Sequence, residues 1–129
     1  MKTRFALLAT IAMLLALPLT AAAVNSIGVL CWQPGQFEVV CFDVENRSDF
    51  AFNLTGWHHV HTSTSEFKLP VSGSAIYDSS ANLIRLQWDI GSGDLYAYAA
   101  TILPDTLSGT WFRSGGDSGN FIFIGPGPQ

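Results

Sequence analysis

From residue 84 to residue 90 the apolar Ile84, Leu86, Trp88 and Ile90 alternate with Arg85, Gln87 and Asp89. A two-residue period of this kind gives a strand one apolar face and one polar face. The same rhythm runs upstream, where Phe50, Phe52 and Leu54 share a parity that continues through Gly56 to His58 and Val60. Trp57, His59 and His61 then fall on the opposite, outward face. Gly91-Ser92-Gly93-Asp94, Pro104-Asp105 and Gly115-Gly116-Asp117-Ser118-Gly119 interrupt the alternation with turn residues. The least regular part is 62–72, where a short run from Glu66 to Leu69 ends at Pro70. Strands are predicted near 27–33, 37–44, 50–61, 74–78, 82–90, 94–103, 107–113 and 119–124. No sustained 3.6-residue apolar period follows residue 23. The fold class is therefore all-β: an antiparallel up-and-down meander of about eight strands, most simply closed or nearly closed into a small barrel that leaves no exposed edge. A two-sheet sandwich is the second architecture. Its immunoglobulin form is disfavoured, because that form bridges two sheets with cysteines far apart in sequence.

Residues 1–23 change the picture of the N-terminus. Lys2 and Arg4 precede an apolar core from Phe5 to Leu17, followed by Pro18 and Ala21-Ala22-Ala23. This is the pattern of a cleavable signal peptide, and its core is shorter than the roughly 20 residues of a membrane span. The expected organisation is a signal peptide over 1–23, a single β domain over 24–124 and a Gly/Pro tail over 125–129, with export to the periplasm or the exterior. All ten acidic residues of the chain lie after the leader, against Arg47, Lys68, Arg85 and Arg113. That balance repels phosphate backbones and anionic lipid heads, so neither nucleic acid nor a membrane surface is expected as a partner.

Cys31 and Cys41 lie on two apolar runs flanking Pro34-Gly35. They are expected to face each other across a hairpin as a disulfide, which an oxidising compartment permits. A redox pair would need closer spacing and a low-pKa setting, and the local sequence offers neither.

Leu107-Ser108-Gly109-Thr110-Trp111-Phe112 resembles the Gly-x-Trp strand of the calycins, the small barrels that include lipocalins and avidins. In that group the motif usually lies near the N-terminus, whereas here it lies near the C-terminus. The resemblance implies small size, export and the barrel class. No ligand-contact residue of biotin or retinol binders has a counterpart here.

Candidate chemistry is sparse. Gly116-Asp117-Ser118-Gly119 looks like the nucleophile segment of trypsin-like proteases, but such enzymes need two barrels and a base held by a buried carboxylate, so a hairpin turn is expected. Glu38, Glu45, Asp89, Asp94 and Asp105 fall at strand ends and turns, where solvated carboxylates are expected. No Gly-rich turn leads into Lys-Ser/Thr and a helix, so phosphate cradles are not expected. Asn46-Arg47-Ser48 and Asn53-Leu54-Thr55 are glycosylation sequons that matter only in a eukaryotic host. His59 and His61 share a face and are the candidate metal ligands, for zinc, with Glu66 or Asp78 as a third. The bland alternative is an exposed aromatic-histidine patch, and no cofactor is then required. His58, of opposite parity, is expected partly buried against backbone.

The aromatics carry the remaining signal. Most should fill the barrel by parity. Trp57, Tyr96, Tyr98, Trp88 and Trp111 are the candidate ligand-binding residues, and Ala97, Ala99 and Gly109 would leave internal space if they point inward. The expectation is an exported, non-catalytic barrel that binds a small apolar or aromatic ligand. The alternative is a module that binds an envelope or extracellular protein, such as an inhibitor of a secreted enzyme.

Overall fold

The computed structural model describes residues 26–90 and 96–127; the expected leader, Asp94 and the end of the expected tail lie outside them. Eight antiparallel strands follow one another around a closed barrel. They are β1 (Ser26–Gly35), β2 (Glu38–Ser48), β3 (Ala51–His61), β4 (Glu66–Asp78), β5 (Leu83–Ile90), β6 (Tyr96–Ile102), β7 (Gly109–Arg113) and β8 (Ser118–Pro126). Each pairs with its sequence neighbours, and β8 closes on β1 through Leu30↔Pro126, Cys31↔Gly125, Trp32↔Phe123 and Gln33↔Ile122. Gly125 and Pro126 are thus part of the closing strand, and Gly127 N donates to Val29 O at 2.9 Å.

The alternation decides what goes inside. On β5, Ile84, Leu86, Trp88 and Ile90 are buried and Arg85, Gln87 and Asp89 are exposed. Val40, Phe42 and Val44 of β2 and Phe52, Leu54 and His58 of β3 do the same on their strands. The centre is a run of aromatic rings organised on Trp88, which stacks on Tyr98 at 5.2 Å and on Phe121 at 5.3 Å and meets Phe42 edge-on at 5.3 Å. Trp32 also stacks on Phe121, at 5.4 Å, and Trp111 lies 5.5 Å from Tyr98. Offset and edge contacts of this kind add about 0.5–1.5 kcal/mol per pair beyond the area they bury.

Two glycines show how tightly the wall is bent. A Cβ on Gly56 would stand 1.9 Å from Cys41 O, and one on Gly73 would stand 1.9 Å from Gln87 O and 2.6 Å from Trp88 Cα. At both places the neighbouring backbone occupies the volume a side chain would need, which is how glycine lets a barrel turn a corner.

One strand is longer than the sequence predicts. β4 runs without a break through Pro70, joining the short run at Glu66 to the strand at Ser74. Among the described residues the β4–β5 ladder begins at Val71↔Ile90, and Glu66 to Pro70 pair with β3.

Candidate functional site

Three places were singled out by the sequence or emerge from the fold: the interior, the polar mouth of the barrel, and the outer face of β2–β4.

The interior is filled. Trp88 and Tyr98 are 2% and 5% exposed and belong to the core, as does the half-buried Trp111, whose Nε1 donates to Pro34 O at 2.8 Å. Ala97 and Ala99 do not point inward. They flank Tyr98 on the outer face, because Trp88↔Tyr98 and Ala100↔Trp111 pair with Tyr98 and Ala100 inside. Gly109 faces inward, but a Cβ there would lie 1.9 Å from Thr101 O, so backbone takes up that space. An apolar cavity of about 60 Å³ remains near Leu30, Leu54, Ala75 and Leu107. That is room for about two water molecules, against roughly 300–1,000 Å³ for sites that hold small organic ligands. The side chain of Tyr96 lies outside the described residues.

The mouth at the β1–β2 and β7–β8 turns holds a polar cluster. Glu38 shares the parity of Val40 and Phe42 and points into the barrel, correcting its expected place at a solvated strand end. His58 is 1% exposed and bonds to this carboxylate, not to backbone as the sequence reading has it: its Nε2 lies 2.9 Å from Glu38 Oε1. An ionised carboxylate only accepts, so the ring donates through Nε2–H. Nδ1 of His58 is buried with no hydrogen-bond partner among the described residues. The hydrogen bond from His58 holds the Glu38 carboxyl below its usual range despite its partial burial, and the charge of Arg113 acts in the same direction. Arg113 reaches Tyr98 Oη at 3.5 Å and pairs with Asp117. Gly116 and Asp117 lie in the β7–β8 turn and Ser118 and Gly119 open β8, with Asp117 turned towards Arg113. The signal that could have found this pair is parity, which places Glu38 and His58 both inward.

The outer face carries the larger opening. A groove of about 760 Å³ runs over β1–β4, lined by Val39, Cys41, Trp57, His59, Lys68 and Pro70 among others. Trp57 is 51% exposed in its wall, outward as its parity requires. Cys31 and Cys41 are direct cross-strand partners joined as a disulfide with Cα atoms 4.1 Å apart, and Cys41 is in turn the partner of Trp57. The disulfide is compatible with an oxidising extracellular or periplasmic location.

At one end of this face His59 and His61 project together, their ring centroids 6.2 Å apart. Glu66, the direct partner of His61 on β4, bridges them: Oε1 lies 3.1 Å from His59 Nε2 and Oε2 lies 3.3 Å from His61 Nδ1. Asp78, the other carboxylate considered, is taken up instead by its own turn. There hydrogen bonds from the Ser80 side chain and the Ala81 backbone hold its carboxyl below the usual range.

The chain is thus a closed, eight-stranded antiparallel barrel, consistent with the calycin-like class. No family model, no curated protein and no solved structure matches it.

Proposed function

We propose that the protein is an exported, non-catalytic barrel of calycin-like type that binds an envelope or extracellular protein through its outer face. The observation that carries this reading is the half-exposed Trp57 in the apolar groove of about 760 Å³, on a barrel whose centre is occupied by rings. An indole offers a large, rigid contact area at small entropic cost, which is why tryptophan is enriched among the residues that anchor interfaces. The groove runs along the outer face of the sheet from Val29 on β1 to Val71 on β4. Export is supported by the leader pattern of residues 1–23 and by the disulfide. Calycin-like membership rests on Leu107-Ser108-Gly109-Thr110-Trp111 together with the barrel class.

A photo-reactive benzoylphenylalanine placed at Val39, in the groove, or at the exposed Asn120, on β8, tests the reading in the native host. The expected result is a discrete protein adduct from the Val39 position, lost when Trp57→Ala is added, and none from Asn120. Equal adducts from both positions would sink the reading. So would native mass spectra of wild type and Trp57→Ala that carry the same small molecule, because the ligand would then lie elsewhere.

A further inference from the structure

We propose that His59, His61 and Glu66 form a binding site for a divalent transition-metal ion, Zn²⁺ in the first instance, on the outer face of the β3–β4 hairpin. One donor atom from each of the three residues lies within 4.8 Å of the other two. The distances of 3.1 and 3.3 Å from the Glu66 oxygens to His59 Nε2 and His61 Nδ1 are informative. Bonds of about 2.0–2.1 Å to a tetrahedral zinc ion separate its ligands by about 3.3–3.4 Å. Each distance is close to the length of one edge of such a shell, and because the two run to different oxygens of Glu66, the carboxylate and the rings have to rotate to bring one oxygen and both imidazoles onto a common ion.

The donor set fits the ion. Two neutral imidazoles and one carboxylate suit Zn²⁺ and its neighbours better than Ca²⁺ or Mg²⁺, which prefer all-oxygen shells. Three protein ligands leave a fourth position for water. The hairpin also holds Glu66 in place. Thr62 Oγ1 accepts from Thr64 N at 3.3 Å and Ser65 N at 2.9 Å, and Thr62 N donates to Ser65 O at 2.7 Å. The carboxylate consequently enters β4 at a fixed register opposite His61.

Two features set the expected strength. Lys68 is the direct partner of His59, and its positive charge opposes a cation at this place. No other histidine competes, because the chain has three and the remaining one, His58, is buried and engaged by Glu38. The inference does not depend on what occupies the groove.

The test is isothermal titration of the untagged protein with zinc chloride near neutral pH, together with native mass spectrometry of the titrated sample. One zinc per chain is expected. His59→Ala and Glu66→Gln should each weaken binding by at least about tenfold, the low end of what losing even an outer-shell partner costs. Lys68→Ala should strengthen it by about threefold or more, since it removes a like charge. Asp43→Asn, a groove carboxylate apart from the triad, should leave it unchanged. Far-UV circular dichroism and melting temperature establish that each variant is folded. The inference is overturned if no one-to-one adduct forms, if binding survives a His59→Ala, His61→Ala double variant, or if it depends on Asp43; the triad would then be two surface ion pairs.

Discussion

Replacing Glu38 by Gln isolates the charge at the barrel mouth while keeping its shape. The amide oxygen can still accept from His58 Nε2–H, so what is lost is the charge assistance of a bond that measures 2.9 Å. Hydrogen bonds to charged groups contribute about 1.5–3 kcal/mol and neutral ones about 0.5–1.5. The Glu38 side chain is 32% exposed, and solvent screens part of that difference, which leaves about 1 kcal/mol at neutral pH. Its pH dependence has a definite sign. The folded carboxyl lies below its ordinary value of 4.5, with the His58 hydrogen bond as the leading cause. A depressed carboxyl adds stability that is fully present above the unfolded value and is lost as pH falls through the folded one.

Urea unfolding followed by tryptophan fluorescence, repeated at intervals from about pH 7 to about pH 3, measures this directly. The wild type should exceed Glu38→Gln by about 1 kcal/mol on the neutral plateau, and the gap should close below pH 4.5. Glu38→Ala sharpens the test. It leaves Nε2 of a ring that is 1% exposed with no acceptor, so it should cost about 1–3 kcal/mol more than Gln. A constant gap between wild type and Glu38→Gln over the whole pH range would refute the reasoning, because the pair would then act through shape alone.

Other expectations follow from the wall and the core. Reduction of Cys31–Cys41 removes a crosslink spanning 10 residues, which the chain-entropy model values at about 3 kcal/mol, and unfolding with and without reductant should show a loss of that order. Gly73→Ala, which drives a Cβ into the β5 backbone, should cost about 3 kcal/mol. Gly115→Ala points into open space at a φ of +105° and should cost about 1–2 kcal/mol, so equal losses in thermal melts would contradict the corner role of Gly73. Ala75→Val places two methyl groups beside the apolar cavity of about 60 Å³ and should stabilise by about 0.5–1 kcal/mol; a loss of that size would mean the cavity cannot accept them.

How much of this was legible depended on the contrast between neighbouring side chains. Where bulky apolar and charged residues alternate, as from Ile84 to Ile90, parity alone placed every side chain on the observed face. On β6 the contrast vanishes: Ala97, Ala99 and Ala100 carry no polarity signal, and only the pairing Trp88↔Tyr98 shows that the tyrosine is inside. Pro70 marked a strand end in the sequence because proline cannot donate to a ladder. In the fold it lies within β4, next to Val71, whose β5 partner is Ile90. The two histidines of the outer cluster followed from parity, whereas choosing Glu66 over Asp78 needed the register of the β3–β4 hairpin. The Glu38–His58 pair is not legible in the sequence by type, because a lone carboxylate near a turn reads as solvated; only the shared parity of the two residues points to it.

The filled centre bears directly on where recognition can occur. An eight-stranded barrel is just wide enough to be packed with side chains or to hold one small ligand. Here Trp32, Phe42, Trp88, Tyr98 and Phe121 make the choice. Opening a ligand-sized cavity would require removing at least two of these rings, at about 3–5 kcal/mol each, from a domain whose whole stability is of the order of 5–15 kcal/mol. The same strand can still serve both purposes. β3 turns Phe52, Leu54 and His58 inward to hold the barrel, and Trp57, His59 and His61 outward. A slip of one residue would exchange the two sets, so the outer face is only as well defined as the register. Cys41 is the direct partner of both Cys31 and Trp57, and the disulfide therefore fixes β2 against β1 at the position from which the exposed indole is presented.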